Sequence, residues 1–495
     1  MSASEDKSPG AKPDKGLAGG QYRPLSEDQI HQIHEASLEI LARTGVEVPS
    51  PEVREILQHD GAAIDGSRVR LRKGQVERAI ERAPKRVLLA GRDPDNDLIL
   101  EDKRVYIGTG GAALQVLDHD SDEIRPASLR DVVETARLVD ALGNIHFFLI
   151  PVYPMNVPDE RVEIHKYYAA IANTTKHVQG GVYTVKGIRD VVSMCERIMG
   201  GAQALRERPI VSFITSWMLS PLKFSPSVTE LLMEVCRLRI PVVLSSAPMA
   251  GATAPATLAG MLAQVTAEQL AGLTLTQLVS EGCPVLIGPI PATLDMRTGK
   301  YLGGAVELGM CNAAVAQIAQ NYGLPLYNSA GMTDAKWPDI QAGMEKAQSV
   351  IQVALAGANF IHHAAGMLED MSTIAFEQFV FDNELLGMAM RAVRGIEVDQ
   401  DTLALDAIDR VGPGGDFLSD DHTLLHLRTE LYYPSPVFDR QHREHSEQDK
   451  WTDARSRARF VVRRILEEHV VQELEPAVDA WIHERFELDE HLLEA

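Results

Sequence analysis

Cysteine is scarce and poorly placed for stapling: Cys195, Cys236, Cys283 and Cys311 lie tens of residues apart with no C-x-x-C pair. Neither a disulfide framework nor a thiolate zinc site is expected from that spacing. Long apolar runs are missing as well. No stretch of about 18 apolar residues occurs, and the opening segment MSASEDKSPGAKPDKGLAGGQ has no hydrophobic region of the signal-peptide kind. A soluble, cytoplasmic protein is the expectation. Positive charge is in deficit, with 48 Lys and Arg against 70 Asp and Glu and a formal net charge of −22, so the surface repels phosphate backbones and anionic headgroups. Nucleic acid and membrane are poor partners for such a chain. Aromatic residues make up only 5%, so the places where rings stand carry information.

What is present is a chain of 495 residues, 45% of them hydrophobic, enough to build a full-sized core. Residues 1–24 are rich in Ser, Lys, Gly, Pro and Asp and read as a disordered tail, because they bury too little to offset the entropy of ordering. Residues 25–103 read as a helical N-terminal lobe, with Ile30, Ile33, Ala36, Ile40 and Leu41 on one helix face and Ser26 as its cap. From Arg104 onward short β-branched runs alternate with amphipathic stretches: RVYIG, HFFLIPVY, HVQGGVY, PIVSFITSW, PVVLSSA, VLIGPI, PLYNSAG and NFIHHAAG. Strict strand–helix alternation argues for a parallel sheet, and eight units over 104–392 suit an α/β chain folded as a (β/α)8 TIM barrel. A doubly wound open sheet shares the alternation. Residues 393–495 read as a helical C-terminal extension, with a long helix from Trp451 to His469.

Several motifs invite chemistry. Gly108-Thr-Gly110-Gly111-Ala-Ala113 fits G-x-G-x-x-A, but the segment after it reads as a hairpin around Asp-Ser-Asp rather than a helix N-terminus, so a tight glycine turn at a barrel mouth is expected in place of a dinucleotide site. His422 and His426 have metal-ligand spacing without the HExxH glutamate, and a surface helix pair is the expected reading. Lys336 is a candidate Schiff-base lysine, a role that needs desolvation; a solvated loop lysine is the alternative. His362 and His363 end the last predicted strand, which sends at least one of them into the mouth. Tyr106, Tyr153, Tyr183, Trp217 and Tyr327 fall near strand ends, where clustered π-faces would suit a quaternary ammonium.

The segments at 108–132, 295–343, 357–387 and 412–440 together resemble the trimethylamine methyltransferase family, in particular its members that lack pyrrolysine. The likeness runs from about Ser26 to the C-terminus. It implies a (β/α)8 barrel and transfer of a methyl group from a methylated amine to the cob(I)alamin of a separate corrinoid protein, forming methylcobalamin there, with no cofactor tightly bound to this chain. Since the chain holds only standard residues, the resemblance implies a quaternary amine such as glycine betaine, and points to the loop 328–337 as the region where pyrrolysine is lost. The base-off signature D-x-H-x-x-G is broken, with Ile361 in the aspartate position ahead of His363 and Gly366. Expected substrate contacts are Tyr153 and Trp217 as a cation cage, Tyr106 next, His362 for the ligand's carboxylate as neutral donor or imidazolium, His363 as the alternative face, and Asp334 to order the loop or meet the cation. No catalytic or metal-binding residue is assigned, and a homo-oligomer is expected. A quaternary-amine sensor without turnover and a Schiff-base lyase using Lys336 are the competing functions.

Overall fold

Eight parallel strands form the centre of the computed structural model, which describes residues 14–442, 453–489 and 491–492. They are β1 (Arg104–Thr109), β2 (Phe148–Leu149), β3 (Val178–Gly181), β4 (Val211–Thr215), β5 (Val242–Ser246), β6 (Val285–Pro289), β7 (Tyr327–Ser329) and β8 (Phe360–Ala365). β2 to β6 pair in order, and β7, β8 and β1 pair in order. Two seams join these arcs. A parallel bridge links Ile287 to Leu326. Between β1 and β2, the His146 N–H donates to the Ile107 carbonyl at 2.8 Å, and its ring Nδ1 accepts the Ile107 N–H at 3.0 Å. The ring therefore closes as a (β/α)8 barrel, and all eight strands fall on the runs read from the sequence.

Each strand is followed by a helix: α1 (Leu129–Ala141), α2 (Val162–Ala172), α3 (Val185–Met199), α4 (Pro226–Leu238), α5 (Leu258–Val279), α6 (Val306–Tyr322), α7 (Ile340–Ala356) and α8 (Phe376–Arg394). Side chains on a strand alternate between faces, so Tyr106, Phe147, Leu149, Val243, Leu286, Tyr327 and Phe360 meet inside the ring in one buried cluster. Val87, Leu89, Leu98 and Leu100, from the antiparallel hairpin Val87–Leu89 and Leu98–Leu100, join that cluster and stopper the end where the strands begin. The open end is the one carrying the strand-to-helix loops, where barrel sites form.

The N-terminal lobe opens with the helix Glu27–Glu39, whose capping box pairs Ser26 Oγ with the Gln29 N–H at 3.3 Å and Gln29 Oε1 with the Ser26 N–H at 2.9 Å. Short strands, among them Val46–Glu47 and Arg68–Arg70, are threaded through the lobe. The tail differs from the expectation over its second half: Leu17–Ala18 pairs antiparallel with Arg104 and Val105, and Gln21 Nε2 donates to Val393 O at 3.1 Å. The first residues of β1 project past their barrel neighbours, and the backbone bonds they offer order a segment that composition alone would leave loose. In the C-terminal extension the helix Ala454–Glu468 docks on α8, where Arg455 and Arg459 reach the fully buried Glu377 carboxylate at 2.7 and 3.3 Å. Trp451, expected to start that helix, lies outside the described residues. Among the described residues no helix is long and apolar enough to cross a membrane.

One buried ion pair ties the open end together. Lys346 on α7 donates to the Gly331 carbonyl just past β7 at 2.6 Å and lies 3.1 Å from Asp382 on α8. Asp382 in turn accepts the Gly366 N–H just past β8 at 2.8 Å and Gln378 Nε2 at 2.8 Å. Both side chains are out of solvent, and burial pulls each toward its neutral form, Lys346 down and Asp382 up. Removing one partner strands the other charge, which costs about 3–5 kcal/mol. Urea unfolding of Lys346→Met or Asp382→Leu is expected to show that loss, and the double variant Lys346→Met/Asp382→Leu a smaller one than the sum.

Candidate active site

Near the open end the inward positions of β1, β3, β5 and β7 continue from Gly108, Gln179, Val243 and Tyr327 to Gly110, Gly181, Ser245 and Ser329. These four small residues stand above a layer that includes Leu149, Gly288 and His362. β8 departs from regular alternation at this level. Its register against β1 shifts between Ile361 and Ala365, and His363 has a φ of 65°. A bulge of this kind turns two consecutive side chains to the same face. Both imidazoles enter the barrel as a result, with ring centroids 3.9 Å apart. Gly110 makes room for this, since a Cβ there would stand 2.1 Å from His363 Cδ2.

The two rings cap an aromatic column. His362 stacks on Tyr327 at 3.8 Å, Tyr327 on Phe360 at 5.7 Å, and Phe360 on Phe147 at 3.5 Å. His363 Nδ1 shares a 3.0 Å hydrogen bond with Ser329 Oγ, whereas neither ring nitrogen of His362 has a protein partner. Burial pushes the His363 imidazole down to about 3, with the Lys346 ammonium adding to it, and pushes His362 well below its ordinary value, with His363 contributing. Both are neutral at physiological pH. The neutral form of His362 is thus favoured over the imidazolium, because burial leaves a second charge without water to stabilise it.

The other expected contacts are dispersed. Tyr106 is buried lower in the barrel, where its hydroxyl accepts the Ile99 N–H of the stopper hairpin at 3.1 Å. Trp217 faces outward, wedged against Phe224 at 4.6 Å and over Gly272 of α5, where a Cβ would lie 2.4 Å from the indole. Tyr153 stands at the rim, bonded to Asp159 at 3.0 Å and edge-on to Tyr183 at 5.8 Å. The Tyr183 ring already carries the Lys166 ammonium 4.4 Å from its centroid. A cage of Tyr106, Tyr153 and Trp217 is therefore not assembled. One step of strand parity decides it for Trp217, and one turn of barrel height for Tyr106.

Asp334 lies in the loop after β7. It accepts the Gly303 and Gly304 N–H groups at 3.2 and 3.3 Å and sits 3.8 Å from Lys300 Nζ, which itself pairs with Asp370 at 2.9 Å. Burial, with the Asp370 carboxyl beside it, raises Asp334 to about 6. This cluster knits the mouth loops that follow β6, β7 and β8. Lys336 is half-exposed and donates to the Asp334 carbonyl at 2.8 Å, the surroundings of a solvated lysine rather than a desolvated nucleophile. The segment after Gly110–Ala113 is the expected hairpin, Gln115–Leu117 against Ile124–Pro126. His422 and His426 stack at 4.2 Å on the helix Asp421–Glu430, and among the described residues no group of His, Cys, Asp and Glu could hold a metal.

A polar relay on the inner wall was missed by motif reading. His177 Nδ1 lies 2.9 Å from Ala90 O, His177 Nε2 lies 2.7 Å from Ser212 Oγ, and Gln179 Nε2 donates to Ser212 Oγ at 2.8 Å. Gln179 Oε1 is buried with no partner. The available signal was parity: His177, just ahead of β3, and Gln179 within it are two residues apart, and the rest of β3 is Val and Gly.

The inner wall near the open end thus presents two neutral imidazoles, hydroxyls and an amide, groups suited to holding a small molecule. The chain belongs to the family described as trimethylamine methyltransferase (MTTB), whose model matches residues 6–487. It is a methyltransferase by that membership. A trimethylamine methyltransferase MttB of Desulfitobacterium hafniense strain DSM 10664 / DCB-2 is 39% identical over 431 residues, 87% of this chain and 85% of that one. A glycine betaine methyltransferase of Desulfitobacterium hafniense strain Y51 is 33% identical over 466 residues, 93% and 95% of the two chains. Among solved structures, the monomethylamine methyltransferase MtmB of Methanosarcina barkeri superposes with a TM-score of 0.44 at 11% identity, covering 92% of this chain and 96% of that one.

The buried imidazoles impose a pH dependence. His146, His177 and His363 are held down to about 3, 4 and 3 mainly by burial, and His362 is lowered too. Above pH of about 6.5 they are neutral folded and unfolded; below it the unfolded chain binds protons that the folded chain refuses. Stability is thus full above 6.5 and lost progressively as the pH falls toward 4, by up to about 1.4 kcal/mol per unit for each group. Urea midpoints at pH 7, 6 and 5 are expected to fall in that order, with a shallower slope in His177→Gln.

Proposed function

We propose that this methyltransferase takes its methyl group from a quaternary amine, glycine betaine being the first candidate, and passes it to the corrinoid of a partner protein. The observation that supports the reading is the absence of an acid from the barrel interior. Among the described residues at the inward positions of the eight strands near the mouth there is no carboxylate, lysine or arginine, and burial keeps the two imidazoles neutral. A tertiary amine is positive only while it keeps a proton, and a buried site with no anion draws that proton off, leaving a neutral nitrogen whose C–N bond does not yield. A quaternary ammonium needs none, because its nitrogen takes the bonding pair and departs as a neutral tertiary amine.

The residues then have a grip-and-aim task. The column Phe147, Phe360, Tyr327 and His362 forms a rigid wall, and the unpartnered His362 nitrogens offer one N–H donor for a ligand carboxylate and one acceptor. Fixing one N–CH3 bond toward the open end can be worth up to about 7–11 kcal/mol of the barrier. Neutral dipoles suit this reaction, since a carboxylate beside the ammonium would favour the fully charged ground state over a transition state in which that charge disperses. The small residues at the mouth fit a donor methyl presented outward to a partner docked on this face. The partner's reduced cobalt supplies the two electrons for the new bond to the methyl carbon. The broken D-x-H-x-x-G signature is consistent with a corrinoid held by the partner, and a cytoplasmic homo-oligomer remains our reading of the assembly.

Incubation with cob(I)alamin under titanium(III) reduction tests this. Glycine betaine is expected to yield dimethylglycine by NMR and trimethylamine to yield no dimethylamine; turnover of trimethylamine would overturn the proposal, and betaine binding without any methyl transfer would make the protein a sensor. His362→Leu is expected to lower kcat/KM for betaine by about 10- to 100-fold.

A further inference from the structure

Gln179 has one hydrogen-bonding arm used and one free. Its direction follows from the relay. The Ala90 carbonyl can only accept, so His177 carries its proton on Nδ1. Burial keeps that imidazole neutral, which leaves Nε2 as an acceptor, and the Ser212 hydroxyl must donate to it at 2.7 Å. The Ser212 oxygen is then free to accept, and Gln179 supplies the N–H at 2.8 Å. The amide cannot flip without breaking this chain, so its oxygen is the arm left over. That oxygen is buried and without a partner in a residue that has no exposure, and a buried carbonyl left unpaired costs about 1–3 kcal/mol.

Position gives the free oxygen a use. β3 and β7 are diametrically opposite in an eight-stranded ring, and alternate strands contribute to one layer of the interior. Gln179 therefore stands across the barrel from Tyr327, the ring on which His362 is stacked. A fixed carbonyl dipole on one wall and an aromatic stack on the other make a neutral slot of opposite electrostatic sense to a cation.

We infer that Gln179 is a substrate-contacting residue whose side-chain oxygen meets the N-methyl shell of the ammonium, and that Ser212 and His177 are positioning residues that hold it in that orientation. The inference rests on the quaternary-amine reading and adds to it the groups that sense the charge. An amide fits better than a carboxylate at this place: it recognises the positive end while leaving the charge less tightly held when the C–N bond begins to break.

The test separates charge recognition from shape. Glycine betaine and 3,3-dimethylbutanoate have the same outline, with nitrogen replaced by uncharged carbon. Calorimetric affinities of the full-length protein for the two give a selectivity ratio. In Gln179→Leu the ratio is expected to fall about tenfold, and in Ser212→Ala about threefold, with circular dichroism unchanged. In Gln179→Glu betaine is expected to bind about tenfold tighter without a rise in kcat. A ratio unchanged in Gln179→Leu, while wild type still prefers betaine, overturns this inference alone and makes the oxygen a structural water site. No betaine binding by wild type overturns the substrate reading on which it rests.

Discussion

The site depends on two strand ends being held at one height. β7 brings Ser329 and β8 brings His362 and His363, and the Lys346–Asp382 pair bonds to backbone groups just past both. A left-handed residue inside a strand is a strained state for anything but glycine and persists only where its surroundings over-determine it. Here the bond from Ser329, the contact with the His362 ring and the clasp on Gly366 do so together. The clasp has an electrostatic consequence too: an ammonium this close to His363 disfavours a second positive charge, reinforcing the neutrality that burial already imposes.

Neutrality is what links the fold to the chemistry. The chain carries a formal charge of −22, yet the barrel interior near the mouth is lined by imidazoles, hydroxyls, an amide and ring faces. The acidic groups are displaced to the loops, where Asp334 and Asp370 spend themselves on backbone N–H groups and Lys300. Such a pocket discriminates by shape and dipole direction rather than by ion pairing. That is the economical arrangement for a substrate that arrives already charged and leaves uncharged.

Much of the scaffold was legible because hydrophobic periodicity reports on elements many residues long. The eight strands, the helices between them and the hairpin after Ala113 each follow from a local pattern that tertiary packing then confirms. Side-chain direction was less legible. Trp217 and Ser216 differ by one position, and a strand's frame is set by its neighbours, which a single run of residues does not contain. The paired histidines show the limit from the other side. Alternation admits one ring to the barrel, and both enter only because a bulge, an adjacent glycine at 110 and a buried ion pair between the two flanking helices agree. Gln179 was hard to read for a different reason: its orientation comes from a hydrogen-bond chain running through Ala90, His177 and Ser212, residues scattered over more than a hundred positions.

The mouth is unequal around its rim, and the inequality bears on how a large partner could approach. On the side of β6, β7 and β8, the loops are bound to one another through Asp334, Asp370, Lys300 and Glu345, the last accepting the Asp334 N–H at 2.8 Å. On the side of β3, Tyr183 is about half exposed, at 48%, and is backed by Lys166, whose ammonium donates to Gly181 O at 2.8 Å while burial lowers it to about 7. Glu163 anchors the same loop through the Tyr183 and Thr184 N–H groups. Transfer of a methyl group in line needs the acceptor to come down along one axis to within bonding reach, so one wall must stay fixed while the other yields room. The cross-linked β6–β8 wall carries the two histidines, and the more open β3 wall presents the Tyr183 ring, with the buried Lys166 behind it.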